Sequence, residues 1–154
     1  MRSYDELKQT PLLLAISSDQ SNLVDEILTG YISHQLDINL KDIDGKFEIS
    51  LKFTNLHSGN TALHYAVQNC TSQSLLSFLR FKFLHVDIKN LRQNTPLHYF
   101  CQKFCHSNPE EPLRKIIERG VQVNSQNHFG ETPLHLAMLN SSADAMIAIS
   151  KVIK

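Results

Sequence analysis

His98, Cys101 and Cys105 stand at i, i+3 and i+7, with His106 adjacent to the last of them. On a helix that spacing brings three possible zinc ligands to one face. No C-x-x-C pair accompanies them, and a free cysteine is commonly a small core hydrophobe, so metal binding is the minor reading. The cysteines would act as nucleophiles only as thiolates beside a cation or a helix N-terminus, and Cys101 is expected inside a helix. Glu110-Glu111 reads as a solvated turn and not as an acid/base pair. The sequence contains no G-x-S-x-G, G-x-x-x-x-G-K-[ST] or G-x-G-x-x-G, and only five glycines. Asn69-Cys70-Thr71 matches a glycosylation sequon, which is coincidental if the chain is intracellular. We therefore expect no catalysis, no cofactor and no metal.

The elements that must position these residues follow from an internal repeat. Four segments align: Thr10-Pro11-Leu12-Leu13-Leu14-Ala15, Thr61-Ala62-Leu63-His64-Tyr65-Ala66, Thr95-Pro96-Leu97-His98-Tyr99-Phe100 and Thr132-Pro133-Leu134-His135-Leu136-Ala137. A Thr N-cap accepts a first-turn N–H, and a following Pro has the helical φ and no donor to lose. Second helices follow, with apolar pairs at helical spacing. These are Leu23/Val24 with Ile27/Leu28, Leu75/Leu76 with Phe78/Leu79, Leu113 with Ile116/Ile117, and Ala145/Met146 with Ile149. Helix pairs end near Gly30 and Gly120 and lead into turn segments such as Val121-Gln122-Val123-Asn124.

The four segments resemble the T-P-L-H-x-A signature of the ankyrin repeat, whose period is about 33 residues. The Thr-to-Thr spacings are 51, 34 and 37. The resemblance implies an all-α repeat solenoid of four helix-turn-helix units joined by β-turn fingers. Repeat 1 would span about 5–36, repeat 2 about 57–90, repeat 3 about 91–127 and repeat 4 about 128–154. It also implies that the motif histidines His64, His98 and His135 hydrogen-bond backbone between repeats, which is a structural role.

Departures from the pattern carry further expectations. Leu36 to Phe53 alternates around Asp44-Gly45, a type I′ hairpin signal, so a long two-stranded finger is predicted at about 36–56. In that register Leu40 opposes Ile49, while Lys41 faces Glu48 and Asp37 faces Lys52. In the third repeat Phe100 replaces the small Ala and should push the inner helices apart or demand a compensating void. Gln93 replaces the fingertip Gly, so that turn is expected to differ. Residues 105–112, with two prolines and an Asn, read as a longer turn between the helices. At Lys154 the last outer helix ends without an obvious polar cap, which favours a piece of something longer.

Composition excludes several classes. The 154 residues carry 15 Lys+Arg against 15 Asp+Glu, with 42% hydrophobic and 19% charged residues. Zero net charge argues against nucleic-acid binding and against a polybasic membrane anchor. No run is long enough to span a bilayer, and the polar start, Met1 to Gln9, has no signal-peptide core. Three cysteines fit a reducing compartment, so a cytoplasmic location is expected. The neutrality is a cancellation: residues 1–77 carry five basic and nine acidic side chains, residues 78–154 ten and six. Arg80, Lys82, Lys89, Arg92 and Lys103 form the main basic stretch, read first as solvated helix ends and second as an acidic docking patch.

In proteins of this resemblance, partners bind the fingertips and the open side of the inner helices. The positions lie four, three and one residues before the motif Thr and seven and eight after it. Carried over, they are His57, Ser58, Asn60, Gln68 and Asn69 in the second repeat. The third repeat supplies Leu91, Arg92, Asn94, Gln102 and Lys103, and the fourth His128, Phe129, Glu131, Leu139 and Asn140. The first repeat offers only Glu6, Gln9 and Ser17. Leu91, Arg92 and Phe129 are the sharpest candidates, because an apolar tip residue has no evident folding duty. The expected function is a non-enzymatic protein-interaction module. The alternatives are a regulatory segment of a larger kinase or GTPase regulator, and a pathogen or viral effector.

Overall fold

A computed structural model describes residues 12, 15, 18, 20–34, 59–69, 71–82, 84–103, 109–139, 147, 150 and 151. Among them six α-helices are complete: α1 (Ser21–Ser33), α2 (Ala62–Asn69), α3 (Ser72–Leu79), α4 (Pro96–Gln102), α5 (Glu110–Glu118) and α6 (Pro133–Leu139). Leu12 and Ala15 belong to a further helical segment ahead of α1. The predicted hairpin at 36–56 lies outside the described residues.

Explicit end chemistry bounds three of the helices, α3, α4 and α5. Thr95 precedes α4 with extended backbone, Pro96 starts the helix, and Thr95 forms a capping box with His98. The usual Glu or Gln of that box is replaced by the imidazole. Thr71 caps α3 by accepting the Ser74 N–H at 3.4 Å. In α5, Glu110 and Glu111 occupy the first turn and Lys115 the last, which complements the helix dipole at both ends. These two glutamates and Pro112 are thus helical, where the sequence suggested a turn. Pro112 sits in the first turn, where its missing N–H has no intrahelical partner to lose. Gly30 lies inside α1 and does not end it, whereas Gly120, at φ 82°, follows α5.

Two layers result. The inner helices stack in order, α4 packing on α2 and α6 on α4, while the outer helices stack as α3 on α1 and α5 on α3. This is an all-α repeat fold, in which each unit buries its apolar face on its neighbours. Leu12, Leu28, Leu63, Leu75, Phe78, Leu97, Leu113 and Ile116 are fully buried between the layers. Each such side chain contributes about 1.5–3 kcal/mol relative to exposure.

Phe100 is fully buried in the same core. The register-equivalent residues on either side, Ala66 and Ala137, are also fully buried. The large ring is thus accommodated inside the layer, between two units that carry the small residue at this position.

The fingertip at Gln93 does not differ from the others, contrary to expectation. Gly59, Gln93 and Gly130 each stand two residues before a motif Thr, and their φ values are 65°, 60° and 75°. Among the described residues Gln93 is the single non-glycine with positive φ. Hydrogen bonds of the tip hold it there against the side-chain cost.

Candidate functional site

Each well-described fingertip is organised by one asparagine five residues before the motif Thr. Asn90 Oδ1 accepts the N–H groups of Arg92 and Asn94, both at 2.9 Å. Its backbone N–H donates to Asn94 O, and the Gln93 N–H closes the turn on Asn90 O, again at 2.9 Å. Asn127 repeats the pattern: its Oδ1 accepts from Phe129 N at 2.9 Å and Glu131 N at 3.0 Å. A side-chain carbonyl thereby replaces the partners that the turn's amides would otherwise seek in water.

The amide groups of the same residues tie one finger to the next. Asn90 Nδ2 donates to Asn60 Oδ1 at 2.6 Å and to the Tyr99 hydroxyl at 3.0 Å. Asn127 Nδ2 donates to Asn94 Oδ1 at 3.0 Å and to Glu131 Oε2 at 2.8 Å. The His128 N–H meets Arg92 O at 3.1 Å, and its ring Nε2 meets Leu91 O at 2.9 Å. Lys89 Nζ donates to Gln126 O at 2.9 Å.

Motif histidines form a second ladder below the tips. His64 Nε2 lies 3.0 Å from Asn94 O, and His98 Nε2 lies 3.1 Å from Glu131 O. A carbonyl only accepts, so Nε2 carries the proton in both rings and Nδ1 is the acceptor. Nδ1 takes the N–H of the preceding Thr, at 3.0 Å from Thr61 and 3.1 Å from Thr95. The Thr hydroxyls approach the same nitrogens to 2.8 and 2.9 Å. Burial, ahead of the opposing hydrogen bonds, lowers the pKa of His98. In the fourth unit Thr132 and His135 form the same pair, at 2.8 Å.

This arrangement answers the metal-ligand spacing. Both nitrogens of His98 are engaged, and burial pushes the Cys101 thiol up to about 12, so a thiolate is strongly disfavoured. Cys105 and His106 lie outside the described residues. No group of three metal-ligating side chains occurs among the described residues.

The sequence-derived partner residues divide sharply. Asn60 is buried under Asn90. Asn94 and Glu131 are half-buried and hold the ladders through both backbone and side chain. Lys103 Nζ donates to Gln68 O, joining two of the candidates to each other. Gln102, like Lys103, is exposed, and Gln68 is half-buried. Leu139 is 70% exposed at the end of α6. His57 and Ser58 lie outside the described residues.

Leu91 and Phe129 remain 62% and 78% exposed, with Arg92 exposed between the fingers. One flank of Leu91 covers Gly59, where a Cβ would sit 2.7 Å from Leu91 Cγ. Leu91 and Arg92 on one fingertip and Phe129 on the next are thus exposed, on fingers tied to each other by hydrogen bonds.

Two features were missed by sequence reasoning. The asparagines have a signal, since Asn recurs five residues before the third and fourth motif Thr. Arg119, just after α5, had none. Its guanidinium donates to Leu79 O at 3.1 Å, Phe81 O at 3.0 Å, Lys82 O at 2.8 Å and Leu84 O at 2.7 Å. It therefore caps the C-terminal end of α3 from the following unit, and burial lowers its pKa.

Residues 101–148 match the family described as "Ankyrin repeats (many copies)". A probable serine/threonine-protein kinase of Dictyostelium discoideum is 39% identical over 142 residues, covering 92% of this chain and 15% of that protein. Stress-activated protein kinase alpha of the same organism is 48% identical over 73 residues, 47% of this chain and 11% of the kinase. Mouse ankyrin repeat domain-containing protein 53 is 34% identical over 82 residues, 53% of this chain and 16% of that protein. The chain thus spans less than a fifth of the length of each of these relatives.

Proposed function

Since the chain belongs to the ankyrin-repeat family, we propose that it is a non-catalytic module that grips a protein partner along its fingertips and inner helices. The observation that carries this reading is the ridge of Leu91, Arg92 and Phe129. These side chains are exposed, while the polar groups beneath them are engaged in finger-to-finger hydrogen bonds. Rigid display of aromatic, aliphatic and Arg anchors lowers the ordering cost of association. Gln68, Gln102, Lys103, His128 and Leu139 flank the ridge and extend the contact surface.

The reading includes four repeats at about 5–36, 57–90, 91–127 and 128–154, with the hairpin at 36–56 between the first two. It places the module inside the cell. No described helix is long and apolar enough to cross a membrane.

A second reading is favoured by the relatives named as kinases. In that reading the chain is a regulatory segment whose partner is another part of a longer signalling polypeptide. Its observation is the 92% coverage of this chain within 15% of a kinase.

The test compares affinity capture by the wild type, Arg92→Glu and Phe129→Ala. Loss of one anchor should weaken a specific binder by about 2 kcal/mol, roughly 30-fold, with the thermal melt unchanged. An unchanged capture profile, or a lowered melt, would remove the ridge from the interface.

A further inference from the structure

The third and fourth units display two different chemistries at matching positions. In the third, Arg92 stands three residues before the motif Thr and Lys103 eight after it, one beyond each end of α4. In the fourth, Phe129 stands three before the motif Thr and Leu139 seven after it, ahead of α6 and at its last residue. All four side chains are exposed, Phe129 to 78% and Leu139 to 70%. A cationic unit therefore lies beside an apolar one, since α6 packs on α4.

The basic stretch of the sequence is thereby divided. Arg80 and Lys82 follow α3, an outer helix, and Lys89 Nζ donates to Gln126 O. The Arg92 guanidinium has no hydrogen-bond partner among the described residues. Lys103 Nζ donates to Gln68 O, a neutral acceptor that cannot compensate the ammonium charge. The carboxylates of the same fingers are turned to the fold. Glu131 Oε2 accepts from Asn127 Nδ2 at 2.8 Å, and Asp87 is half-buried and takes the Gln122 main-chain N–H. Among the described residues, Arg92 and Lys103 are thus the exposed permanent charges of the fingertips and inner-helix ends.

The His128 N–H reaches Arg92 O at 3.1 Å, which draws the two tips together. Adding standard bond lengths, the α-carbons of Arg92 and Phe129 lie no more than about 11 Å apart, a span of about three extended residues. We propose that these tips select an acidic and apolar polypeptide segment, in which Asp or Glu stands within that distance of a large apolar side chain. The proposal rests on the fingertip reading above and adds the chemistry of the partner. Its carboxylate would meet the Arg92 guanidinium, and its apolar side chain the Phe129 ring; a second acid would meet Lys103 and a second apolar residue Leu139. With zero net charge over the chain, a polyanion gains no long-range attraction, so a few placed carboxylates suit the face better than a run of phosphates.

The probe is a library of short random peptides displayed on phage, selected in parallel on the wild-type chain, Arg92→Glu and Phe129→Ala. Thermal melts matching the wild type keep a folding defect out of the comparison. The wild-type pool should enrich Asp or Glu within about three positions of Leu, Ile or Phe. In the Arg92→Glu pool Lys or Arg should replace the acid, while Phe129→Ala should keep the acid and lose the apolar residue. A synthetic peptide from the wild-type pool, titrated by fluorescence anisotropy, should bind Arg92→Glu about tenfold more weakly and should weaken as salt is raised. Peptides enriched without acids, or acids retained by Arg92→Glu, would overturn the acidic preference and leave the fingertips as a recognition surface. Pools that do not differ between the wild type and either variant would overturn it together with the fingertip reading. Tighter binding of a single-stranded oligonucleotide, dependent on Arg92 and indifferent to Phe129, would replace the acidic segment with a polyanion.

Discussion

Removing the guanidinium of Arg119 tests whether neighbouring units are coupled through the end of α3. The perturbation is Arg119→Met, which keeps the apolar stem and deletes the donors. Four carbonyls, those of Leu79, Phe81, Lys82 and Leu84, lose a charged partner at 2.7–3.1 Å. A hydrogen bond to a charged group is worth about 1.5–3 kcal/mol net. Three of these four share one nitrogen and the site is only partly buried, so the values do not add. Replacement water recovers part of the loss, while the cation at the helix C-terminus adds a few tenths of a kcal/mol. The expected destabilisation is about 2–3 kcal/mol, which lowers the melting midpoint by roughly 5–10 °C for a chain of this size. Urea unfolding followed by circular dichroism measures the free energy, and hydrogen exchange should show the greatest loss of protection near 78–84. Arg119→Lys should recover less than half of the loss, because an ammonium cannot fork across separated carbonyls. A Met variant melting within about 2 °C of wild type would refute the assignment.

The remaining predictions are narrower. Gln93→Gly should stabilise by about 0.5–1 kcal/mol, because a left-handed backbone costs a side chain more than glycine loses in chain entropy; a lowered melt would contradict the φ of 60°. The lowered pKa of His98 means that the unfolded chain binds the proton more readily. Stability from this group is complete above about 6.5 and falls as the pH drops from there through the lower folded value. His98→Gln should therefore flatten the melting-versus-pH curve on its acidic side, and a slope identical to wild type would count against the buried neutral ring. Cys101 should resist iodoacetamide at mildly alkaline pH until denaturant is added, which peptide mapping detects; rapid native labelling would show the thiol to be accessible.

The sequence displayed the repeat because its punctuation is local. Thr95-Pro96 and Thr132-Pro133 announce helix starts within two residues, and the apolar spacing of 113, 116 and 117 marks an outer helix without reference to any other unit. The link from the motif histidines to the next finger came from the resemblance and not from local pattern, since their carbonyl partners lie 30 and 33 positions away. Asn90 and Asn127 were not, since a turn asparagine has a local explanation and its second role depends on a residue about 30 positions away. Asn60 shows the limit of counting positions: its offset is that of a partner residue, yet the following finger covers it. Lys89, Lys103 and Arg119 were indistinguishable from solvated charges until backbone carbonyls were found at their ends. For Gln93, the absence of the usual glycine suggested an altered tip, and the Asn90-centred hydrogen bonds hold the same left-handed backbone.

A turn whose amides are satisfied by a single asparagine places few demands on the residues that it lifts to its crest. Arg92 rides on Asn90, and Phe129 on Asn127, through their main-chain N–H groups. The side chains of Arg92 and Phe129 can be exchanged without touching these turn hydrogen bonds. The fingers thereby separate the grammar of folding from the vocabulary of recognition. A library varied at positions 91, 92 and 129, with Asn90 and Asn127 held constant, would give new binding faces on an unchanged backbone.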